Sequence, residues 1–261
     1  MNDADEAIAR SLLAGDGASS AALEPITSGL SGASVFRVLE ANRPPRYAKI
    51  ARDQASIALR DEIARIGWLS ARGVAVPQVL STSAGPDWLA VLTGAVPGVP
   101  ADSSSLPLPQ LIDALAKSLR TLHALPVEDC PFDETLPVRL ARATQAVAGD
   151  EVEQAQFEPR NRGIAPEMLL ARLLAAQPAE DLVVVHGDAT LSNIVVDDNG
   201  SVGFVDCGNA GRGDRYLDLA VLGAEIGEHF GAEAAVMFAR SYGGDWNAAK
   251  ALYYSDLYEL F

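Results

Sequence analysis

Cysteine is almost absent: Cys130 and Cys207 are the only two in 261 residues. Two thiols so far apart make no metal-type cluster, and a reduced, cytoplasmic protein is the expectation. No apolar run approaches the roughly twenty residues of a membrane helix, so no membrane span is expected. The opening Met-Asn-Asp-Ala-Asp-Glu is acidic and lacks the basic and apolar regions of a signal peptide. There is no internal repeat, and Gly and Pro are dispersed, which excludes collagen-like and low-complexity classes. Positive charge is scarce. Against 35 Asp/Glu stand 20 Lys/Arg, a formal net charge of −15. That balance speaks against nucleic acid and anionic membranes as partners.

What is present is 49% hydrophobic residues, enough for one large domain or two small lobes with real cores. The charge is unevenly placed. Residues 1–98 carry 9 Lys/Arg against 10 Asp/Glu, and residues 99–261 carry 11 against 25. The second part would face a small cationic substrate. The order of elements is legible in outline. Residues 23–50 are strand-like with turns at Ser28-Gly29-Leu30-Ser31-Gly32 and at 42–45. Leu59, Ile63 and Ile66 recur at helical spacing in 54–72, and Gly73 stops that helix. Short strands are expected at 76–80 and 88–92 and a helix at 108–122. Residues 136–177 are mostly helical with a break near 159–163, 183–206 are β-rich, and everything after Arg215 is helical. This is an α+β, bilobal plan: a β-rich N-terminal lobe (1–92), a Gly/Pro-rich hinge (93–100) and a mainly helical C-terminal lobe (101–261), with a cleft between the lobes.

The chemistry is concentrated in one block. An apolar strand at 183–185 runs into His186-Gly187-Asp188-Ala189-Thr190-Leu191-Ser192-Asn193, and two apolar strands flank Asn199-Gly200, a strong two-residue hairpin signal. With the turn centred on 199 and 200, residue 198 pairs with 201 and Asn193 falls beside Asp206. An amide oxygen and a carboxylate side by side suit Mg²⁺, a hard cation that takes oxygen ligands. Asp188, in the loop after a strand, could accept a proton from an attacking hydroxyl. A lone turn Asp would be an ordinary solvated carboxylate; the three residues together, at this spacing, point to catalysis.

This spacing, with Phe204-Val205-Asp206-Cys207-Gly208 and Asp214-Arg215-Tyr216-Leu217-Asp218-Leu219-Ala220, resembles the aminoglycoside phosphotransferases, above all the 3′-enzymes, and behind them the protein kinases. The resemblance implies a protein-kinase-like fold and transfer of the ATP γ-phosphate to an aminoglycoside hydroxyl. It makes Asp188 the catalytic aspartate and Asn193 and Asp206 the Mg²⁺ ligands. Asp218 and His186 become supports of the loop.

A phosphoryl donor needs backbone N–H groups and a cation. The turn through Ser31 and Gly32 can supply the first, although it is no Walker A sequence. Lys49, the only lysine in residues 1–98, can supply the second, and Glu62 on the 54–72 helix could pair with it. Tyr47, two residues from Lys49 on the same strand face, matches the family position that stacks on adenine. Hinge backbone at Thr93, Ala95 and Val96 would meet the adenine edge.

On the acceptor side, the ending Asp256-Leu257-Tyr258-Glu259-Leu260-Phe261 resembles the family's, so Glu259 and the terminal carboxylate of Phe261 would face substrate ammonium groups. Two departures stand out. The family's acidic loop reads Pro159-Arg160-Asn161-Arg162 here, with Glu158 at its edge, and the family's Arg after the metal-binding aspartate is Asn209. Residues 48–51 and 96–100 are also similar to streptomycin 3″-kinases. Arg160, Arg162 and Asn209 favour a kinase of another small hydroxyl metabolite. A nucleotide-binding pseudokinase is a fourth reading, which the intact Lys49, Asp188, Asn193 and Asp206 oppose. A monomer or weak dimer is expected.

Overall fold

The computed structural model describes residues 3–15, 21–26, 32–41 and 43–261, the side chain of Gln156 excepted. The loop residues 28–31, and with them Ser31, lie outside the described residues, as does Asn42. The chain divides into two compact units, residues 1–97 with 203–208, and residues 98–202 with 209–261.

The first unit is an antiparallel five-stranded sheet with a helix on each face. Its strands are β1 (Ala22–Ile26), β2 (Ser34–Leu39), β3 (Arg46–Arg52), β4 (Val79–Ala84) and β5 (Trp88–Gly94), in the order β1-β2-β3-β5-β4. Side chains alternate across a strand, so β3 sends Ala48 and Ile50 to one face and Tyr47, Lys49 and Ala51 to the other. Helix α1 (Asp3–Gly15) covers the first face: Ala9, Leu12 and Leu13 pack with Phe36, Val38, Ala48, Ile50, Ala90 and Leu92. Helix α2 (Asp53–Ser70) covers the second: Leu59 packs with Ala51, Leu89 and Val91, and Ile63 lies against them. The helix expected over 54–72 is therefore α2. The sequence reading assigned nothing to 3–15, although the apolar stripe at 9, 12 and 13 and the acidic first turn are helix signals. Buried Asp5 clips α1 to the sheet by accepting from Ser34 Oγ at 2.7 Å and Arg52 Nε at 2.9 Å.

The second unit is mainly helical. It holds β6 (Val99–Pro100), α3 (Leu108–His123), α4 (Leu136–Ala148), α5 (Pro166–Ala175), β7 (Leu182–Val185) and β8 (Ile194–Val196). After β9 (Val202–Phe204), which runs on into the first unit, come β10 (Gly211–Asp214), α6 (Tyr216–Phe230), α7 (Ala232–Tyr242) and α8 (Ala248–Tyr258). Proline in the first turn starts α3, α4 and α5, where its missing N–H costs nothing. Gly231 (φ 95°) and Gly243 (φ 83°) break the C-terminal stretch that the sequence suggests is continuously helical. β10 was not foreseen: Gly211-Arg212-Gly213-Asp214 has no β-forming side chains, yet it pairs antiparallel with β7. Among the described residues no helix is long and apolar enough to cross a membrane, and both cysteines are free and buried.

The hairpin after β8 takes a different register from the expected one. The Asp197 N–H donates to the Ser201 carbonyl and the Gly200 N–H to the Asp197 carbonyl, both at 3.0 Å. Residue 197 therefore opposes 201 across a three-residue loop with Gly200 left-handed (φ 80°). The Asp197 side chain decides this. Its Oδ1 accepts the N–H groups of Asn199 at 2.9 Å and Ser201 at 2.7 Å. The two-residue register that set Asn193 opposite Asp206 is thus not the one adopted.

Candidate active site

In the first unit the ammonium of Lys49 lies 2.8 Å from Glu62 Oε2 and 3.6 Å from Asp206 Oδ1. The pairing follows from the elements. Lys49 stands on the β3 face that α2 covers, and Glu62 sits one turn before Ile66 on the buried side of α2. Burial by itself would lower the Lys49 pKa; the carboxylates of Glu62 and Asp206 outweigh it and hold the ammonium above its ordinary value. Asp206 is left-handed (φ 53°), and its side chain is 63% exposed. Such a backbone costs about 1–3 kcal/mol outside glycine and concentrates at functional positions. Next to it the Cys207 thiol is pushed up by burial and by the Glu62 and Asp206 charges, so it remains an unreactive thiol.

Tyr47 pairs with Thr93 across β3 and β5 and is half-buried. The Ala95 N–H donates to the Pro45 carbonyl at 3.1 Å, so a contact from Ala95 to an adenine would fall to its carbonyl. Gly32 takes a left-handed conformation (φ 65°), as a glycine in a phosphate-facing turn can.

In the second unit the loop from His186 to Asn193 is fixed from several sides. Fully buried Asp218 accepts the His186 N–H at 2.8 Å, the Gly187 N–H at 2.7 Å and His123 Nε2 at 3.0 Å. Burial alone would raise the Asp218 pKa; its partners, His123 foremost, overcome this and hold the carboxyl below the ordinary range. Seven residues on, about two helical turns, Glu225 of α6 accepts the Leu191 N–H at 2.6 Å. Arg139 of α4, buried and paired with Glu134 at 3.0 Å, donates to the Gly187 carbonyl at 2.7 Å. Gly187 is left-handed (φ 79°), and a Cβ there would run into the Asn209 carbonyl and the Arg139 guanidinium. The loop therefore needs glycine, and Asn209 backs directly onto it. The support that the family resemblance implied for Asp218 is visible in these bonds. Glu225 and Arg139 were missed, and the seven-residue interval between the two α6 carboxylates was the available signal.

Both oxygens of Asp188 are engaged. Asn193 Nδ2 donates to Oδ2 at 2.9 Å and to the Asp188 carbonyl at 3.0 Å. The Tyr258 hydroxyl donates to Oδ1 at 2.8 Å. Tyr258 also lines a cavity of about 350 Å³ together with Glu158, Glu259, Phe261, Glu225 and Glu228. Three of the four residues assigned to the acceptor thus share one acidic cavity; Asn209 is not in its wall. Glu259 is largely committed elsewhere. Its Oε1 accepts from Asn161 Nδ2 at 2.9 Å and Arg160 Nη2 at 3.2 Å, and its Oε2 accepts the Glu158 N–H at 3.2 Å. Burial raises its pKa, and Asn161 and Arg160 counter it. Arg160 also reaches Asp256 Oδ1 at 2.9 Å and Ser255 Oγ at 2.8 Å. The departure at residues 159–162 therefore has a structural role: it ties this loop to α8.

A part-buried lysine on a five-stranded sheet, paired with a helix glutamate, and a His-Gly-Asp loop held by a helical unit define a kinase-like phosphotransferase. Residues 22–252 match the phosphotransferase enzyme family, and the chain belongs to that family, among its aminoglycoside phosphotransferases. It is 40% identical over 223 residues to the streptomycin 3″-kinase of Streptomyces griseus, covering 82% of this chain and 81% of that protein. With the aminoglycoside 3′-phosphotransferase of Streptomyces fradiae it shares 34% over 252 residues, 90% of this chain and 94% of the relative. The solved aminoglycoside phosphotransferase APH(3″)-Id of Streptomyces rimosus, in complex with ADP and streptomycin, superposes with a TM-score of 0.85 at 34% identity, over 100% of this chain and 99% of that one. The α+β, protein-kinase-like fold and the phosphotransferase activity expected from the sequence hold.

Proposed function

We propose that this protein transfers the γ-phosphate of ATP to a 3′-type hydroxyl of an aminoglycoside of the kanamycin and neomycin class, conferring resistance in the cytoplasm. The observation that carries the reading is Asp188. It is the only carboxylate in the 186–193 loop, and it contacts a residue that lines an acidic cavity suited to a polycation. In this reading residues 1–92 hold the nucleotide, 93–100 join the parts, and 101–261 hold the acceptor. Lys49, oriented by Glu62, meets the phosphates beside the turn at Ser31 and Gly32. Tyr47 stacks on the adenine, whose edge meets backbone at Thr93, Ala95 and Val96. Glu158, Asn209, Glu259 and the Phe261 carboxylate serve the acceptor, Glu259 through the loop it fixes.

Magnesium fits the residues present. Asn193 spends its Nδ2 on Asp188, which leaves the amide Oδ1 as a hard donor, and the Asp206 carboxylate is largely exposed. We assign these two as its protein ligands; the ion would neutralise phosphate charge. Asp188 accepts the proton of the acceptor hydroxyl as its oxygen bonds to phosphorus and the bond to ADP breaks. Asp188→Asn should lower kcat by about 10²–10⁴ with little change in ATP affinity; full turnover in that variant would reject the mechanism.

A second reading is a streptomycin 3″-kinase, favoured by the 40% identity to the Streptomyces griseus enzyme. An ATP-consumption screen against kanamycin, neomycin, streptomycin and small hydroxyl metabolites separates the two, and turnover of none of them would favour the pseudokinase.

A further inference from the structure

The contact between Tyr258 and Asp188 has no part in that mechanism, and it competes with the acceptor for the base. A general base must offer a free lone pair to the hydroxyl it deprotonates. Here Oδ2 accepts from Asn193 at 2.9 Å and Oδ1 from the Tyr258 phenol at 2.8 Å, so one of the two lone pairs on each oxygen is in use. The phenol competes for the oxygen to which an acceptor hydroxyl would donate.

We infer that Tyr258 is a guard on the catalytic carboxylate: its hydroxyl occupies Asp188 Oδ1 until an acceptor displaces it, which makes Tyr258 a specificity-determining residue for the transfer. The inference rests on the reading of Asp188 as the base. Three observations support it. Tyr258 is the last residue of α8 and is 38% exposed, so its side chain can swing without disturbing a core. The ring lines the acidic cavity, so an occupant of that cavity meets the residue whose hydroxyl is bonded to Asp188. The flanking backbone stays put, because Glu259 is tied to Arg160 and Asn161 and Arg160 is tied to Asp256. Burial and the adjoining Asp188 charge push the phenol's pKa up, which keeps it a neutral donor.

The guarded reaction is the one with water. A water oxygen would bond to the γ-phosphorus of ATP, its proton would pass to Asp188, and the bond from phosphorus to the bridging oxygen would break, its electron pair leaving with ADP. A phenol on Oδ1 uses one of that oxygen's two lone pairs and competes with water for it. An acceptor held by the cavity carboxylates has binding free energy with which to displace the phenol; water has none. The acidic surroundings, Glu225 and Glu228 among them, also disfavour a phosphate on Tyr258 itself.

The test compares wild type, Tyr258→Phe and Tyr258→Ala, with Asp188→Asn and the Asp188→Asn/Tyr258→Phe double variant beside them. ADP release is followed without acceptor and with streptomycin or kanamycin, and thermal unfolding checks folding. A hydrogen bond to a charged group is worth about tenfold or more. Tyr258→Phe should therefore raise acceptor-free hydrolysis about tenfold and lower the acceptor KM by a similar factor, and the double variant should lose the gain. A misfolded variant cannot produce a gain of this kind. Unchanged or lower hydrolysis in both Tyr258 variants, with Asp188→Asn inactive, would overturn the guard and leave the base reading standing. A fully active Asp188→Asn would remove the base reading instead. A phosphate found on Tyr258 by intact mass would make it an acceptor and overturn the guard.

Discussion

A fully buried carboxylate that accepts two backbone N–H groups and a histidine is a different object from the same residue in water. Asp218 holds the turn that presents Asp188, and replacing it by Asn would set an amide NH₂ against one of those donors. Asp218→Asn should cost about 3–5 kcal/mol in urea unfolding, the range for breaking one side of a buried charged pair. The pH sign follows from its depressed pKa. The stability it adds is complete above about pH 4, the unfolded carboxyl value, and is lost as pH falls through the lower folded value. Gly187→Ala should destabilise by at least about 1–2 kcal/mol from the left-handed backbone alone, with the collision against the Asn209 carbonyl added. A Tm no lower than wild type would contradict this. Asp188, Asn193, Lys49 and Glu62 were legible as candidates because kinase chemistry demands those types at those intervals. Tyr258 was not, because a tyrosine in a C-terminal helix carries no signal of what its hydroxyl reaches.

At the scale of elements, the loop at 158–162 shows why a departure from a family pattern need not mean a change of substrate. Arg160 and Asn161 donate to Asp256, Ser255 and Glu259. Arg160→Ala should raise the acceptor KM about fivefold and leave the ATP KM unchanged, since exposed ion pairs contribute about 0.2–1 kcal/mol each. Equal effects on both constants would refer the loop to stability instead. Asn161 is 4% exposed, and Asn161→Ala should cost about 1–3 kcal/mol by removing its two hydrogen bonds to the Asp256 and Glu259 carboxylates; thermal unfolding reads this directly. Helix α2 was legible from its 3.6-residue period, whereas β10, with two glycines in four residues, exists only because β7 offers it a partner.

For the whole molecule, charge is the property that matters. Residues 99–261 carry 25 Asp/Glu against 11 Lys/Arg, and the cavity beside Asp188 is lined by several of these carboxylates. Capture of a cationic acceptor should weaken with ionic strength as the screening length falls from about 10 Å at 0.1 M toward 3 Å at 1 M. The acceptor KM should rise steeply with added salt and the ATP KM much less; an acceptor KM flat in salt would argue against cationic recognition.

By itself the sequence determined the α+β plan, the phosphotransferase class and the candidate residues proposed to carry its chemistry. Strand alternation, helical period and the His-Gly-Asp to Asn interval are local properties of the chain. Only the tertiary structure decided which local signals prevailed. Asp197 turned a two-residue hairpin into a three-residue one, α1 closed the sheet face that α2 leaves open, and the end of α8 came down on Asp188. The last of these joins residues 70 positions apart. Such a contact is set by how whole helices pack, and no periodicity within either segment encodes it.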